Sequence, residues 1–168
     1  MDPLLEFALS VKAMHRELER LMNEATRPLG LTAAQAEAVV VIGQAEPLSL
    51  KELGELLIAE AGHPSRLVDR LVDAGLVERH AAGDDRRRIE LSLTPRGRVL
   101  QERILAAHEG ILEHGRGRVG DRDLGPALEL LRHLLAGSPY AELINRRREL
   151  LEAGPRAAET GNATRSTG

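Results

Sequence analysis

Between Pro64 and the helix that follows Leu93 the spacing of the apolar residues changes twice, and this order of periods limits the fold more than any other feature of the chain. From Pro64 to Asp73, Leu67, Val68, Leu71 and Val72 recur at helical spacing, and Gly75 supplies the stop. Leu76 to Ala81 then reads as a strand. In Arg88 to Leu93 the residues Ile89, Leu91 and Leu93 share one face, and Arg88, Glu90 and Ser92 the other, as in a half-buried strand. The two strands form a hairpin with Gly83 at its turn and the charged run "AGDDRR" at its tip. Thr94 and Pro95 are an N-cap and first-turn proline for a helix to about Glu113, whose end Gly110, Gly115 and Gly117 weaken.

Upstream, residues 4–25 read as one helix. Leu4, Phe7, Val11, Met14, Leu18, Leu21 and Ala25 keep a 3-4 spacing that forms a narrow apolar seam for a partner helix. Pro28 and Gly30 stop it. Thr32 and Gln35 make a capping box for a second helix whose Val39–Ile42 run is buried, and Pro47 ends it. Ser49 and Glu52 repeat the capping box for a short helix to about Ile58, and a turn through Gly62 leads to Pro64. Those two helices have the spacing of a helix-turn-helix. After the hairpin, Asp121 is expected to cap a helix striped by Leu124, Leu128, Leu131 and Leu135, and Ser138–Pro139 to start a last one to about Leu151. From Gly154 the chain is small and polar and reads as disordered.

The expected fold is mainly α with a small β-hairpin wing: a winged helix-turn-helix (residues 32–97) between an N-terminal helix (1–31) and the C-terminal helices (98–152), with a tail (153–168). Composition agrees. Hydrophobic residues make up 42% of the 168, yet Phe7 and Tyr140 are the only aromatics, which suits helices packing aliphatic side chains. There is no cysteine, so disulfides, thiolate metal sites and thiol redox sensing are excluded. Met1-Asp2-Pro3 lacks the basic start of a signal peptide, and no run approaches the ~18 apolar residues of a membrane span; a cytoplasmic protein is expected. The net charge of −3 argues mildly against a duplex-binding protein, so local clusters matter more than the sum.

Two stretches in the right order resemble the MarR family of winged-helix transcription regulators. "DRRRIELSLTPRG" (85–97) is similar to the family's wing, with Asp85 and Arg87 at the tip followed by Leu93, Thr94 and Gly97. "SRLVDRLVDAGLVER" (65–79) is similar to the end of its recognition helix and the next strand. The resemblance covers roughly residues 4–137. It implies a homodimer joined through the terminal helices, double-stranded DNA as partner, and a pseudo-palindromic operator with half-sites about one turn, ~10 bp, apart. It also implies that Arg87 enters a minor groove while Asp85 orients it from within the wing.

The residues allow this reading. A helix fits a major groove with its first residues toward bases or phosphates. Ser65 can donate to a phosphate, and Arg66 and Arg70, four apart, lie on the outer face. Arg86, Arg87 and Arg88 concentrate positive charge at a hairpin tip, suited to a narrow minor groove. The plainer alternative pairs Arg66 and Arg70 with Asp69 and Asp73 as solvated surface charge. Gly97 has its own plain alternative as a close-packing residue. The chain departs from the family at the helix start, where Glu60-Ala61-Gly62-His63-Pro64 replaces a Ser or Thr cap and a longer first turn. Pro64 is tolerated at the first helical position. The helix is therefore expected to begin there, with His63 either contacting DNA or capping it.

Family members often bind a small anion such as an aromatic carboxylate. His15 and Arg16 could meet one, against the alternative of a surface His15–Glu19 pair. His108 and His114 lie about 240° apart around an unbroken helix and cannot share a metal ion. No cofactor is expected. There is no phosphate loop, nucleophile elbow or HExxH motif, so an enzyme is not expected. The competing function is a winged helix that binds an acidic protein partner through its wing arginines.

Overall fold

The computed structural model describes residues 1–58, 64–82 and 89–153. Gly62, His63, Gly83, Asp85, Arg86, Arg87, Arg88 and the tail from Gly154 lie outside them.

Helix α1 (Pro3–Thr26) starts where the Asp2 carboxylate accepts from the Leu4 and Leu5 amides. It passes through a 3-10 turn (Arg27–Leu29) that ends at left-handed Gly30. Helices α2 (Ala33–Ala45) and α3 (Leu50–Leu56) both begin with reciprocal capping boxes, Thr32 with Gln35 and Ser49 with Glu52. Helix α3 ends two residues before the expected Ile58. Helix α4 (Pro64–Asp73) has the expected bounds.

The wing strands are β2 (Val77–Ala81) and β3 (Ile89–Leu93), antiparallel from Val77↔Leu93 to Ala81↔Ile89. A strand the sequence did not suggest, β1 (Leu48–Ser49), pairs with β3 at Leu48↔Leu91, giving the order β1-β3-β2. Two residues are too few to show alternation. Leu91 and Leu93 are buried as expected, but Ile89 is 46% exposed. Ile89 lies at the wing end of β3, whereas Leu91 and Leu93 lie among the core residues.

Helix α5 (Pro95–Val119) overruns its expected end by six residues. Glycine in a helix costs roughly 1 kcal/mol relative to alanine, and the helix absorbs that cost at Gly110, Gly115 and Gly117. Gly120, at φ 59°, ends it. Asp121 does not cap α6 (Gly125–Leu135); the Asp123 carboxylate accepts from the Gly125 amide at 2.8 Å instead. Helix α7 (Pro139–Ala153) is longer than its expected extent.

The core centres on α2, whose Ala36, Ala38, Val39, Val40, Val41 and Ile42 are buried around most of the helix. Leu53 and Leu57, Val68 and Leu71 of α4, Leu91 and Leu93 of β3, and Ile104 of α5 close around it. Asn23 ties α1 to this core, its side-chain oxygen accepting from the Ala33 amide at 3.0 Å. Much of α1 and α6 is uncovered. Leu4, Leu5, Leu9, Val11, Met14 and Leu18 are exposed on α1, as are Leu128, Leu130 and Leu134 on α6, with Leu124 at its start.

Candidate nucleic-acid interface

Helix α4 is divided cleanly between two environments. Leu67, Val68 and Leu71 face the core, while Ser65, Arg66, Asp69, Arg70 and Asp73 face solvent. Its start is set by packing: the Pro64 ring lies so close to α3 that a Cβ on Gly54 would sit 3.3 Å from it. Proline at this position loses no helical hydrogen bond, and Gly54 gives its ring room. The other end closes in a Schellman arrangement. Left-handed Gly75 (φ 66°) donates its amide to the Val72 carbonyl, and Leu76 to that of Leu71 at 2.9 Å.

The charge on the outer face differs from the plain pairing. Asp69 is held at 2.6 Å by Arg79 of β2, ten residues away, rather than by Arg66. Among the described residues neither Arg66 nor Arg70 has a carboxylate partner. An exposed pair such as Asp69–Arg79 is worth ~0–1 kcal/mol, but it cancels the acidic charge beside two outward arginines.

The wing is anchored at its base by residues distant in sequence. Thr94 donates its hydroxyl to the Gly75 carbonyl (2.8 Å) and its amide to that of Leu76 (3.0 Å), while its oxygen caps α5 at the Gly97 amide (3.0 Å). Gly97 lies against the same Leu76 carbonyl, which is why the Thr-Pro-Arg-Gly stretch needs a glycine there. Glu46, at the end of α2, accepts from the Leu93 amide at 2.7 Å and pairs with Arg98. These contacts fix the strands relative to α4.

A second polar cluster lies behind the helix-turn-helix. Glu37 of α2 pairs with Arg147 of α7 at 3.1 Å and accepts from the Ile58 amide at 3.3 Å, and Arg147 also donates to the Leu56 carbonyl at 3.1 Å. Partly buried His108 of α5 adjoins both charges. Burial, the largest cause, lowers its pKa; Glu37 opposes this and Arg147 adds to it. A lowered folded pKa means that the His108 contribution is complete above the ordinary value of about 6.5 and is lost as pH falls through the folded one. We expect the urea midpoint to fall between about pH 7 and about pH 5, and His108→Gln to flatten that slope. An identical slope in the variant would rule out His108 as its source.

Of the other expected site residues, His15 and Arg16 are exposed on α1 and both approach Glu19, at 3.7 and 3.0 Å. Neither lines the cavity of about 310 Å³ formed by Leu29, Arg96, Val99, Leu100 and Arg103. Sequence spacing singled out none of Arg79, Glu46, Arg98, Glu37 or Arg147, since their partners are 10 to 110 residues away. No described helix is long and apolar enough to cross a membrane.

This geometry is that of a winged helix, and the comparisons agree. Residues 31–97 match the winged helix DNA-binding domain. The multiple antibiotic resistance protein MarR of Escherichia coli is 34% identical over 55% of this chain and 64% of its own length. The HTH-type transcriptional repressor MdtR of Bacillus subtilis is 28% identical over 64% of this chain and 69% of its own. The chain thus spans a little under two thirds of the first of these. The crystal structure of an E. coli MarR mutant complexed with operator DNA superposes with a TM-score of 0.69 at 26% identity, covering 79% of this chain and 95% of that one. In sequence and in fold the chain is similar to MarR-family winged-helix transcription regulators.

Proposed function

We propose that this chain is a homodimeric repressor that binds a pseudo-palindromic operator, with α4 in the major groove and the wing arginines Arg86, Arg87 and Arg88 in the minor groove. The observation that carries this is the outer face of α4, where Arg66 and Arg70 point to solvent beside an Asp69 already neutralised by Arg79. The similar MarR structure that holds operator DNA supports the same use of the face. Ser65 contributes a phosphate contact at the helix start, with His63 beside it. Asp85 orients Arg87. The uncovered apolar residues of α1 and α6 supply the dimer contact.

The effector in this reading is a small anion with an apolar body. The cavity between Arg96 and Arg103, floored by Leu29, Val99 and Leu100, suits it better than His15 and Arg16, whose side chains already meet Glu19.

The test is operator binding by Arg87→Ala. The probe is a duplex selected from random sequence by the full-length protein, titrated at two salt concentrations against bulk competitor DNA. The variant is expected to lose about 1–3 kcal/mol of specific binding while its mass and unfolding midpoint stay unchanged. Unchanged affinity would remove the wing from the interface. A wild-type protein that selects no duplex would favour an acidic protein partner instead.

A further inference from the structure

The helix α7 has no role in the proposed contacts with DNA, yet it reaches the segment that feeds the recognition helix. It lies beyond residues 4–137, the stretch over which the sequence resembles the family. Its inner face is seated: Leu143 is buried and Leu150 packs on the core. Among the described residues, its side-chain polar contacts with other helices go to α2 or α3. Arg146 pairs with Glu55 at 2.6 Å. Arg147 bridges Glu37 and the Leu56 carbonyl, and Glu37 in turn receives the Ile58 amide.

Leu56 is the last residue of α3, and Ile58 leads toward Pro64, where α4 begins. The main chain leaving α3 is therefore gripped at two points, the Leu56 carbonyl by Arg147 and the Ile58 amide by Glu37. Arg147 is 22% and Glu37 18% exposed, so this pair is shielded from solvent far more than the ion pairs on α1. A shielded, hydrogen-bonded pair loses little to screening, and removing one member breaks the ion pair and also takes a hydrogen bond from a main-chain group. Helix α7 belongs to the part of the chain expected to assemble the dimer, whereas α4 meets DNA. The grip spans the two.

We infer that α7 is a latch on the helix-turn-helix, and that Arg147 and Glu37 are positioning residues that set the angle at which the chain leaves α3 for α4. The inference rests on α4 being the DNA-reading helix. Loosening the latch lets α4 reach bases in several orientations. Contacts that need one orientation, those to base edges, weaken, and contacts to phosphates remain. A purely structural role would lower thermal stability and affect all DNA alike.

The test uses the full-length chain with Arg147→Met, Arg147→Lys, Glu37→Gln and the Arg147→Met/Glu37→Gln pair. Affinity is measured for a duplex selected from random sequence by the wild-type protein and for bulk genomic DNA at one salt concentration. Amide exchange at Leu57 and Ile58 is followed in parallel. The expected result is a drop of at least tenfold in the ratio of selected to bulk affinity for Arg147→Met, with bulk affinity unchanged. Arg147→Lys should recover most of the ratio, and the double variant should be no worse than Arg147→Met. An unchanged ratio in Arg147→Met overturns the latch. Should the wild type itself not discriminate, the DNA reading fails separately, and exchange then decides: faster exchange at Ile58 in Arg147→Met supports the latch, and unchanged exchange overturns it.

Discussion

Gly97→Ala is expected to lower stability by about 3 kcal/mol, at the upper end of what overpacking a filled site costs. A Cβ at this position would lie 2.1 Å from the Leu76 carbonyl oxygen, 3.1 Å from its carbon and 3.3 Å from the Leu93 Cβ. None of these atoms can rotate away. The Leu76 carbonyl is main chain and already accepts from the Thr94 amide, so displacing it also strains the bond that joins α4 to α5. Leu93 is buried and its amide is held by Glu46. The alanine must therefore push the whole first turn of α5 outward, away from the base of the wing. Gly110→Ala in the same helix is the control. Nothing lies within 4 Å of its Cβ, so the gain in helix propensity and the stiffer unfolded chain should raise stability by about 0.5–1 kcal/mol. Urea unfolding at fixed protomer concentration measures both. A Gly97→Ala midpoint matching wild type would show that the approach of α5 to Leu76 is looser than its geometry indicates.

What could be read in the sequence divides along the length of the contacts. Thr32–Gln35 and Ser49–Glu52 are three residues apart, and a capping box is a local device, so both helix starts were correctly placed. The bounds of α4 follow from Pro64, the Leu67–Leu71 spacing and left-handed Gly75, all within one short stretch. The end of α5 is not legible in its glycines, which weaken a helix without ending it. The stop lies at Gly120, where the backbone leaves helical space. Leu48–Ser49 could not be seen as a strand, since its only evidence is a partner 43 residues on at Leu91.

The candidate interface was legible in the same uneven way. Arg66 and Arg70 were correctly placed on the exposed face by helical periodicity. Their freedom from Asp69 was not, because the sequence offers Arg66 and Arg70 as its neighbours and the fold offers Arg79. Glu37 and Arg147 carry no local signal at all. Each is an ordinary charged residue on a helix until α7 folds back across the end of α3. His63, Asp85 and the wing arginines fall outside the described residues, and their roles rest on the family resemblance.

Met14→Glu is expected to convert the proposed dimer to monomer and to reduce affinity for the proposed operator a hundredfold or more. The sequence gives α1 a narrow apolar seam, but the exposed set reaches further round the helix, to Leu5 and Leu9. A helix whose first turns are apolar on more than one side needs cover from more than one direction there, which fits insertion among helices of a second copy. Leu128, Leu130 and Leu134 of α6, equally uncovered, are the natural counterparts. Met14 is the better position to test because it is 68% exposed in the single chain, so a carboxylate there hardly disturbs the protomer's own core. In a dimer the same carboxylate would be buried among leucines without a partner, twice by symmetry, at a cost of several kcal/mol per ion. The loss in DNA binding follows from valency. Two linked α4 helices bind two half-sites with an avidity ~10²–10⁴-fold above that of one, and a monomer forfeits that gain. Light scattering gives the mass, and titration of the selected duplex gives the affinity. A Met14→Glu protein that remains dimeric and binds normally would mean that α1 is covered in some other way, and the symmetry expected of the operator would lose its basis.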